Sequence, residues 1–217
     1  PSKASGAQVI DGSLKFDDDE KNYLKRTPSS VGNRKTWTWS AWVKKGEVIA
    51  SGAGRQRLFS VRQGTTSNQT YIQFRDDNKL YVEGPAIAWL VNTDAVFRDL
   101  NWGHVVVAFD TTQSTASNRV RIYWNGVEQT LSGTFPTQDY ADSHINNTLL
   151  HSIGNEGGAV AEFFNGSITN TYLIDGQQLD ASYFGFTDPL TNTWKPKKYT
   201  GTFGTNGFWL PMDGNSP

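Results

Sequence analysis

Residues 100–130 read LNWGHVVVAFDTTQSTASNRVRIYWNGVEQT, and the grammar of this stretch decides the fold. From His104 to Phe109 the side chains alternate, with Val105, Val107 and Phe109 on one face and His104, Val106 and Ala108 on the other. A period of two with β-branched enrichment predicts a strand that is apolar on both faces. After the polar run 110–118, Arg119 to Trp124 alternates again, placing Val120, Ile122 and Trp124 opposite Arg119, Arg121 and Tyr123. That pattern predicts a half-exposed strand. Asn125-Gly126 follows at once, and both residues tolerate the positive φ of a type I′ turn, so the chain should reverse into Val127 to Leu131 as a tight hairpin.

The same reading extends outward. Thr36 to Lys44, TWTWSAWVK, sets Trp37, Trp39, Ala41 and Val43 against Thr38, Ser40, Trp42 and Lys44, which predicts a central strand with Trp42 as the exception on its polar side. Arg57 to Val61, Thr70 to Phe74 and Lys79 to Glu83 read as a meander, turning at Asp76-Asp77-Asn78. Ser13 to Phe16 and Tyr23 to Leu24 flank the acidic turn DDDEKN and predict an edge hairpin. Ala86 to Phe97 fits neither period and is expected to be a long loop or a distorted strand. Gly133 to Asn147 reads as a loop, and Thr148 to Gly154 and Ser167 to Asp175 as strands, the latter with a bulge near Thr169. Asp180 is an N-cap with Leu179 packing back, which predicts a helical turn or two. Gly207 to Leu210 reads as a short strand returning to a sheet edge. About a dozen short strands with no repeat or amphipathic helix imply an all-β sandwich.

The length is 217 residues, and no Pro/Gly/Ser linker or charge block divides it, so one domain spanning 1–217 is expected, with 1–12 as an extended arm. A net charge of −1 with scattered basic residues lacks the footprint that duplex nucleic acid requires. Zero cysteines exclude disulfides and thiol chemistry. No run approaches a membrane span and PSKASGAQVIDGS has no apolar h-region, so a soluble chain with neither membrane insertion nor a signal peptide is expected. The start at Pro1 and the turn-like end DGNSP fit a chain excised from a longer polypeptide.

Four segments in this order, TWTWSAWVKKG (36–46), LNWGHVVVAFD (100–110), RIYWNGVEQ (121–129) and FFNGSITNTYLIDGQQLDASYFG (163–185), resemble the laminin-G-like, concanavalin A-like jelly-roll domains. The resemblance runs from about Gly12 to Gly185. It implies two stacked antiparallel sheets and loops available for ligands, without fixing a function. The flanks SLKFDDDEKNYLKR (13–26) and WKPKKYTGTFGTNGFWL (194–210) are similar to a variant found in structural proteins of tailed phages, especially those of marine bacteria. That similarity implies an exposed virion protein, a fibre or decoration. Its partners would be host surface glycan and other virion proteins, and it would form a homo-oligomer, with a trimer favoured.

Catalysis of the kind found in retaining glucanases needs carboxylates at alternate positions of one strand, and no E-x-D-x-E occurs; Glu20, Glu47, Glu83, Glu128, Glu156 and Glu162 are isolated. G-x-S-x-G is also absent, so no enzyme is expected. His104, inside its strand, is better read as a hydrogen-bonded structural histidine than as a base. No cofactor is expected. Asp17-Asp18-Asp19-Glu20 and Asp76-Asp77-Asn78 offer hard oxygens that calcium would accept, but consecutive carboxylates seldom converge on one ion, and solvated turns are the plainer reading. Eight Trp, eight Tyr and twelve Phe are too many for ligand contact alone, so most belong to the core. Trp89 in its ill-patterned segment and Tyr140 in TQDYADS are the candidates for stacking on sugar rings, with Asp94, Asp139 and Asn155 to bond hydroxyls. The plain alternative is that these side chains pin loops or meet a neighbouring subunit.

Overall fold

The computed structural model describes residues 7–64, 68–157 and 161–213. The first six residues of the expected arm and the last four of the chain lie outside the described residues. Sixteen strands are present among those described: β1 (Leu14–Phe16), β2 (Leu24–Arg26), β3 (Thr36–Lys45), β4 (Arg55–Arg62), β5 (Gln69–Arg75), β6 (Leu80–Glu83), β7 (Leu90–Thr93), β8 (Gly103–Asp110), β9 (Val120–Trp124), β10 (Val127–Glu128), β11 (Leu131–Thr134), β12 (Leu150–Ile153), β13 (Gly166–Asp175), β14 (Gly185–Thr187), β15 (Trp194–Pro196) and β16 (Phe208–Leu210). One sheet runs β1-β13-β3-β8-β9-β10, with β16 sharing the β13 edge with β1; the facing sheet runs β11-β7-β6-β5-β4-β12-β2. All pairings are antiparallel, and the architecture is the two-sheet jelly-roll sandwich expected. Among the described residues, helix is confined to 3₁₀ turns at Pro85–Ile87, Ala116–Asn118 and Ala181–Tyr183.

The alternation of β3 and β8 decides the layering. Trp37, Trp39, Ala41 and Val43 meet Val105, Val107 and Phe109 in a core shared with Phe59, Ile72, Phe74, Val82 and Val91 of the facing sheet. Trp37 stacks on Phe109 at 4.8 Å. The second apolar face of β8 has its own partner. Val106 and Ala108 join Tyr123, Tyr172, Ile174, Leu179, Phe184 and Tyr199 in a separate cluster, so the segment after β13 folds back over the outside of the sheet. Tyr123 is therefore buried, where a half-exposed strand was expected.

Asn125 (φ 48°) and Gly126 (φ 83°) form the expected two-residue turn, with Val127 opposite Trp124. The return arm is shorter than expected. It leaves β9 after Glu128, and Leu131–Thr134 crosses to pair with β7 of the other sheet. The edge hairpin expected around DDDEKN does not form either: β1 pairs with β13 and β2 with β12, so the acidic turn carries the chain from one sheet to the other. Both errors have one cause, since local alternation shows strands but not which sheet receives them. The bulge expected near Thr169 is present, between Thr169 and Tyr172, with Asn170 at φ 49°. Asp180 caps its turn, accepting from Ser182 N at 2.8 Å, and Leu179 is buried.

Candidate functional site

The bulge in β13 organises one side of the molecule. Freed from the ladder, Asn170 exchanges side-chain hydrogen bonds with Gln8 (3.1 and 3.2 Å) and accepts from Trp209 Nε1 at 2.8 Å. Thr169 Oγ1 bonds the carbonyls of Gly12 (2.7 Å) and Pro211 (2.9 Å), and Gln8 N donates to Pro196 O at 2.9 Å. These contacts lay the N-terminal segment beside β15, across the outer face of the β13-β3-β8 sheet. Between them lies a cleft of about 360 Å³. Its lining includes Trp42, Trp102, Trp194, Asp11, Ser13 and Lys195. Trp42 is nearly buried (9% exposed), Trp194 half-buried, and Trp102 lies open at 38%, so the indoles are graded from buried to exposed.

His104 ties two of these indoles together. It sits directly across from Trp42 in the β3–β8 register and stacks on it at 5.1 Å. Trp194 Nε1 lies 3.0 Å from His104 Nδ1, and Ser40 Oγ lies 2.9 Å from Nε2. An indole N–H can only donate, so Nδ1 accepts and the proton sits on Nε2, which donates to Ser40. Burial holds the imidazole down to about 3. The ring is thus a neutral spacer. Its one lone pair is occupied and Ser40 is wholly buried, so this Ser–His pair cannot serve as nucleophile and base. The Trp194 ring has a built seat, because a Cβ on Gly126 or on Gly185 would stand 2.4 Å from it.

The residues selected from sequence lie elsewhere, and none of them lines this cleft. Trp89 is 1% exposed and packs on Phe109 at 5.4 Å. Tyr140 is half-buried against the same core, its hydroxyl pushed up to about 12 by burial, and its carbonyl accepts from Thr111 Oγ1 at 2.6 Å. Asp139 is exposed and pairs with Lys35 at 3.0 Å. Asp94 accepts from Ser132 Oγ at 2.6 Å at the far end of β7, about 16 Å from Trp89 at an ordinary strand rise. Asn155 is buried, its carbonyl accepting from Ser60 Oγ at 2.7 Å. The structure brings Trp89 and Tyr140 onto one core.

The sequence held one unused signal for the cleft, Trp42 out of phase on the polar face of its strand. Trp102 and Trp194 carried none, because rim loops and the C-terminal ribbon meet only in three dimensions.

Three further polar groups lie away from the cleft. On the outer face of the other sheet, buried Arg57 meets Glu162 at 2.7 Å and Glu156 at 3.9 Å, lies 3.6 Å over the Tyr71 ring and donates to Gln73. The two glutamates, isolated in sequence, are thus gathered by one guanidinium. Burial raises Glu162, while Arg57 acts to lower it. Carboxylate oxygens of Asp17, Asp18 and Asp19 approach within 4.8 Å of one another, but the Asp17 carboxylate already holds Lys15 and the backbone N–H groups of Asp19 and Glu20. Asp76, Asp77 and Asn78 send their oxygens to separate partners: Gly52 N; Lys79 N and Tyr81 OH; Ile49 N and Lys45. Each of those three side chains is thus engaged by protein donors.

A family model described as the concanavalin A-like lectin/glucanases superfamily, laminin-G-like, matches residues 18–179. The lining residues of the cleft at 11–13 and 194–196 fall outside that span. A sequence search of curated proteins finds no match. Among solved structures, the chain is similar to a candidate carbohydrate binding protein from Bacteroides ovatus (16% identity, TM-score 0.64, 95% of this chain and 52% of that one). It is also similar to a heptameric SAP-like pentraxin from Limulus polyphemus (14%, 0.53, 95% and 93%) and to tailspike protein 2 of bacteriophage CBA120 (11%, 0.56, 94% and 30%). The chain spans about half the length of the first of these and under a third of the tailspike domain. At such identities the likeness is one of fold.

Proposed function

The chain belongs to the concanavalin A-like lectin/glucanases superfamily, and from that membership we propose that it is a non-enzymatic glycan-binding module, carried on a virion surface and attaching to host glycan. The observation that carries this reading is the cleft of Trp42, Trp102 and Trp194. Indole faces pack against the C–H faces of sugar rings, and Asp11, Ser13 and Lys195 supply acceptors and donors for hydroxyls. Binding is favoured over catalysis because the histidine beside the cleft has both nitrogens engaged, and the carboxylates of Glu156 and Glu162 are held by Arg57. The virion setting rests on the similarity of the flanks 13–26 and 194–210 to tailed-phage structural proteins.

A glycan array with the wild-type protein and Trp102→Ala tests the reading. Signal on a defined set of host surface polysaccharides, lost in the variant, is expected. No signal with or without calcium would refute it.

A second reading, an architectural protein whose partners are other virion proteins, is favoured by a different observation. Val48, Val96, Leu100 and Val127 are all exposed where β3 ends and β8 begins, an apolar rim suited to protein contact. Cross-linking on the particle, with this rim joined to a neighbour and no glycan bound, would select it. Either reading is compatible with a trimer, and light scattering of the isolated chain reports that directly.

A further inference from the structure

We propose that His104 is a positioning residue for the ligand cleft, and that its hydrogen bond to Trp194 fixes the C-terminal ribbon as the wall that decides affinity. The inference rests on the glycan-binding reading for its ligand, but its geometry stands alone.

Trp194 belongs to β15, which among the described residues pairs with β14 alone, in a two-stranded ribbon separate from both sheets. Such a ribbon has little stability of its own and takes its position from what it docks on. Among the described residues its backbone attachments beyond β14 are few: Pro196 O accepts from Gln8 N at 2.9 Å, and Lys197 N donates to Phe184 O at 2.9 Å. Both act beyond Trp194, at the far end of the ribbon. At the indole itself, the seat formed by Gly126 and Gly185 defines the depth of the ring. A flat seat does not set rotation within the plane, however. The directional contact is the Nε1–H to His104 Nδ1 bond of 3.0 Å.

His104 is well placed to give that direction. Its own orientation is fixed from the other side by Ser40 at 2.9 Å, and its ring lies near-parallel to both Trp42 (25°) and Trp194 (23°). The imidazole therefore stacks on the floor indole and meets the wall indole edge to edge through the hydrogen bond, which orders the three rings from β3 through β8 to β15. Asn125 Oδ1, one residue before Gly126, accepts from His104 N at 2.7 Å, so the seat and the acceptor are built from the same turn. A ligand held between Trp42 and Trp194 would feel any rotation of Trp194 as a loss of stacking. Its contacts with the backbone-anchored part of the ribbon would persist.

The test uses three variants and two readouts. His104→Gln offers an amide oxygen to Trp194 and an amide N–H to Ser40, and it is expected to keep affinity within about twofold on the glycans the wild type binds. His104→Leu removes the acceptor at similar volume, and Trp194→Phe removes the donor while keeping a ring in the seat. Each is expected to weaken binding about tenfold, in line with a buried hydrogen bond and the wall it orients. Folding of each is checked by near-UV circular dichroism and thermal melting. The second readout needs no ligand: exchange protection of the Trp194 indole hydrogen, expected to be high in wild type and His104→Gln and lost in His104→Leu. Folded His104→Leu and Trp194→Phe proteins that bind as tightly as wild type would overturn the proposal, as would an unprotected indole hydrogen in the wild type. If wild type binds no glycan while the indole hydrogen is protected through His104, the glycan reading fails and the positioning of Trp194 survives it.

Discussion

Acidification should destabilise the protein in a window set by its buried histidines, and His104 supplies a measurable share. Its imidazole is held down to about 3, against an ordinary 6.5, because burial penalises the charged form. The unfolded chain therefore takes up the proton first, and stability falls as pH drops below 6.5 and levels off near 3. Between pH 7 and pH 5 the loss from His104 is about 2 kcal/mol, since each unit of pH inside the window is worth about 1.4 kcal/mol per group. His151 acts in the same sense. It is held down to about 4 chiefly by burial, with Nε2 accepting from Asn146 N at 3.1 Å and Nδ1 donating to Leu149 O at 2.8 Å, and it contributes about 2 kcal/mol more over the same range.

Asp142 opposes them. Burial raises its carboxyl to about 6, so the folded state protonates before the unfolded one and recovers about 1 kcal/mol by pH 5. The wild type should thus lose roughly 2 to 3 kcal/mol from these groups between pH 7 and pH 5, and His104→Gln roughly 2 kcal/mol less than wild type. Urea unfolding followed by tryptophan fluorescence at pH 7, 6 and 5 measures both slopes, and contributions common to the two proteins cancel in the comparison. Parallel stability profiles for wild type and variant would mean that His104 is not a buried neutral imidazole. The tautomer argument, and the orientation of Trp194 built on it, would then fall as well.

Three further outcomes are expected. Gly126→Val places a β-branched residue at φ 83° and drives its Cβ to 2.4 Å from the Trp194 ring, so it should cost more than the roughly 1 to 3 kcal/mol of backbone strain alone; a thermal melt unchanged from wild type would contradict the turn and the seat together. Arg57→Ala leaves Glu156 and Glu162 beside each other without their shared cation and should cost about 3 to 5 kcal/mol, whereas Arg57→Ala,Glu162→Gln should recover part of that loss, both by urea titration. Chelation by EDTA should leave glycan affinity unchanged, because Asp11 is the one carboxylate among the cleft's lining residues; isothermal titration that loses its signal on chelation would point instead to a metal-dependent site.

The alternation in 36–44, 104–109 and 119–124 was enough to determine an antiparallel β-sandwich, because a period of two with apolar residues leaves a strand few other ways to bury its face. The turn at Asn125-Gly126, the cap at Asp180 and the bulge near Thr169 were equally local, each written in residues whose backbone preferences show without partners. The two apolar faces of β8 even announced that something must cover the outside of the sheet. What covers it was not legible, since Leu179, Phe184 and Tyr199 reach Val106 and Ala108 only after the chain has folded back. The sheet to which β1, β2 and β11 belong was likewise decided by long-range pairing, because edge strands of three or four residues carry no mark of their neighbours.

The site shows the same division more sharply. Trp89 looked available because its segment fits neither period, yet irregular backbone can still be packed into the interior. Trp42 was visible as a misfit in its own strand. Its partners come from the rim before β8 and from the ribbon that precedes the last strand, and a cleft joining positions 11, 42, 102 and 194 exists only where tertiary packing has brought four distant segments to one surface.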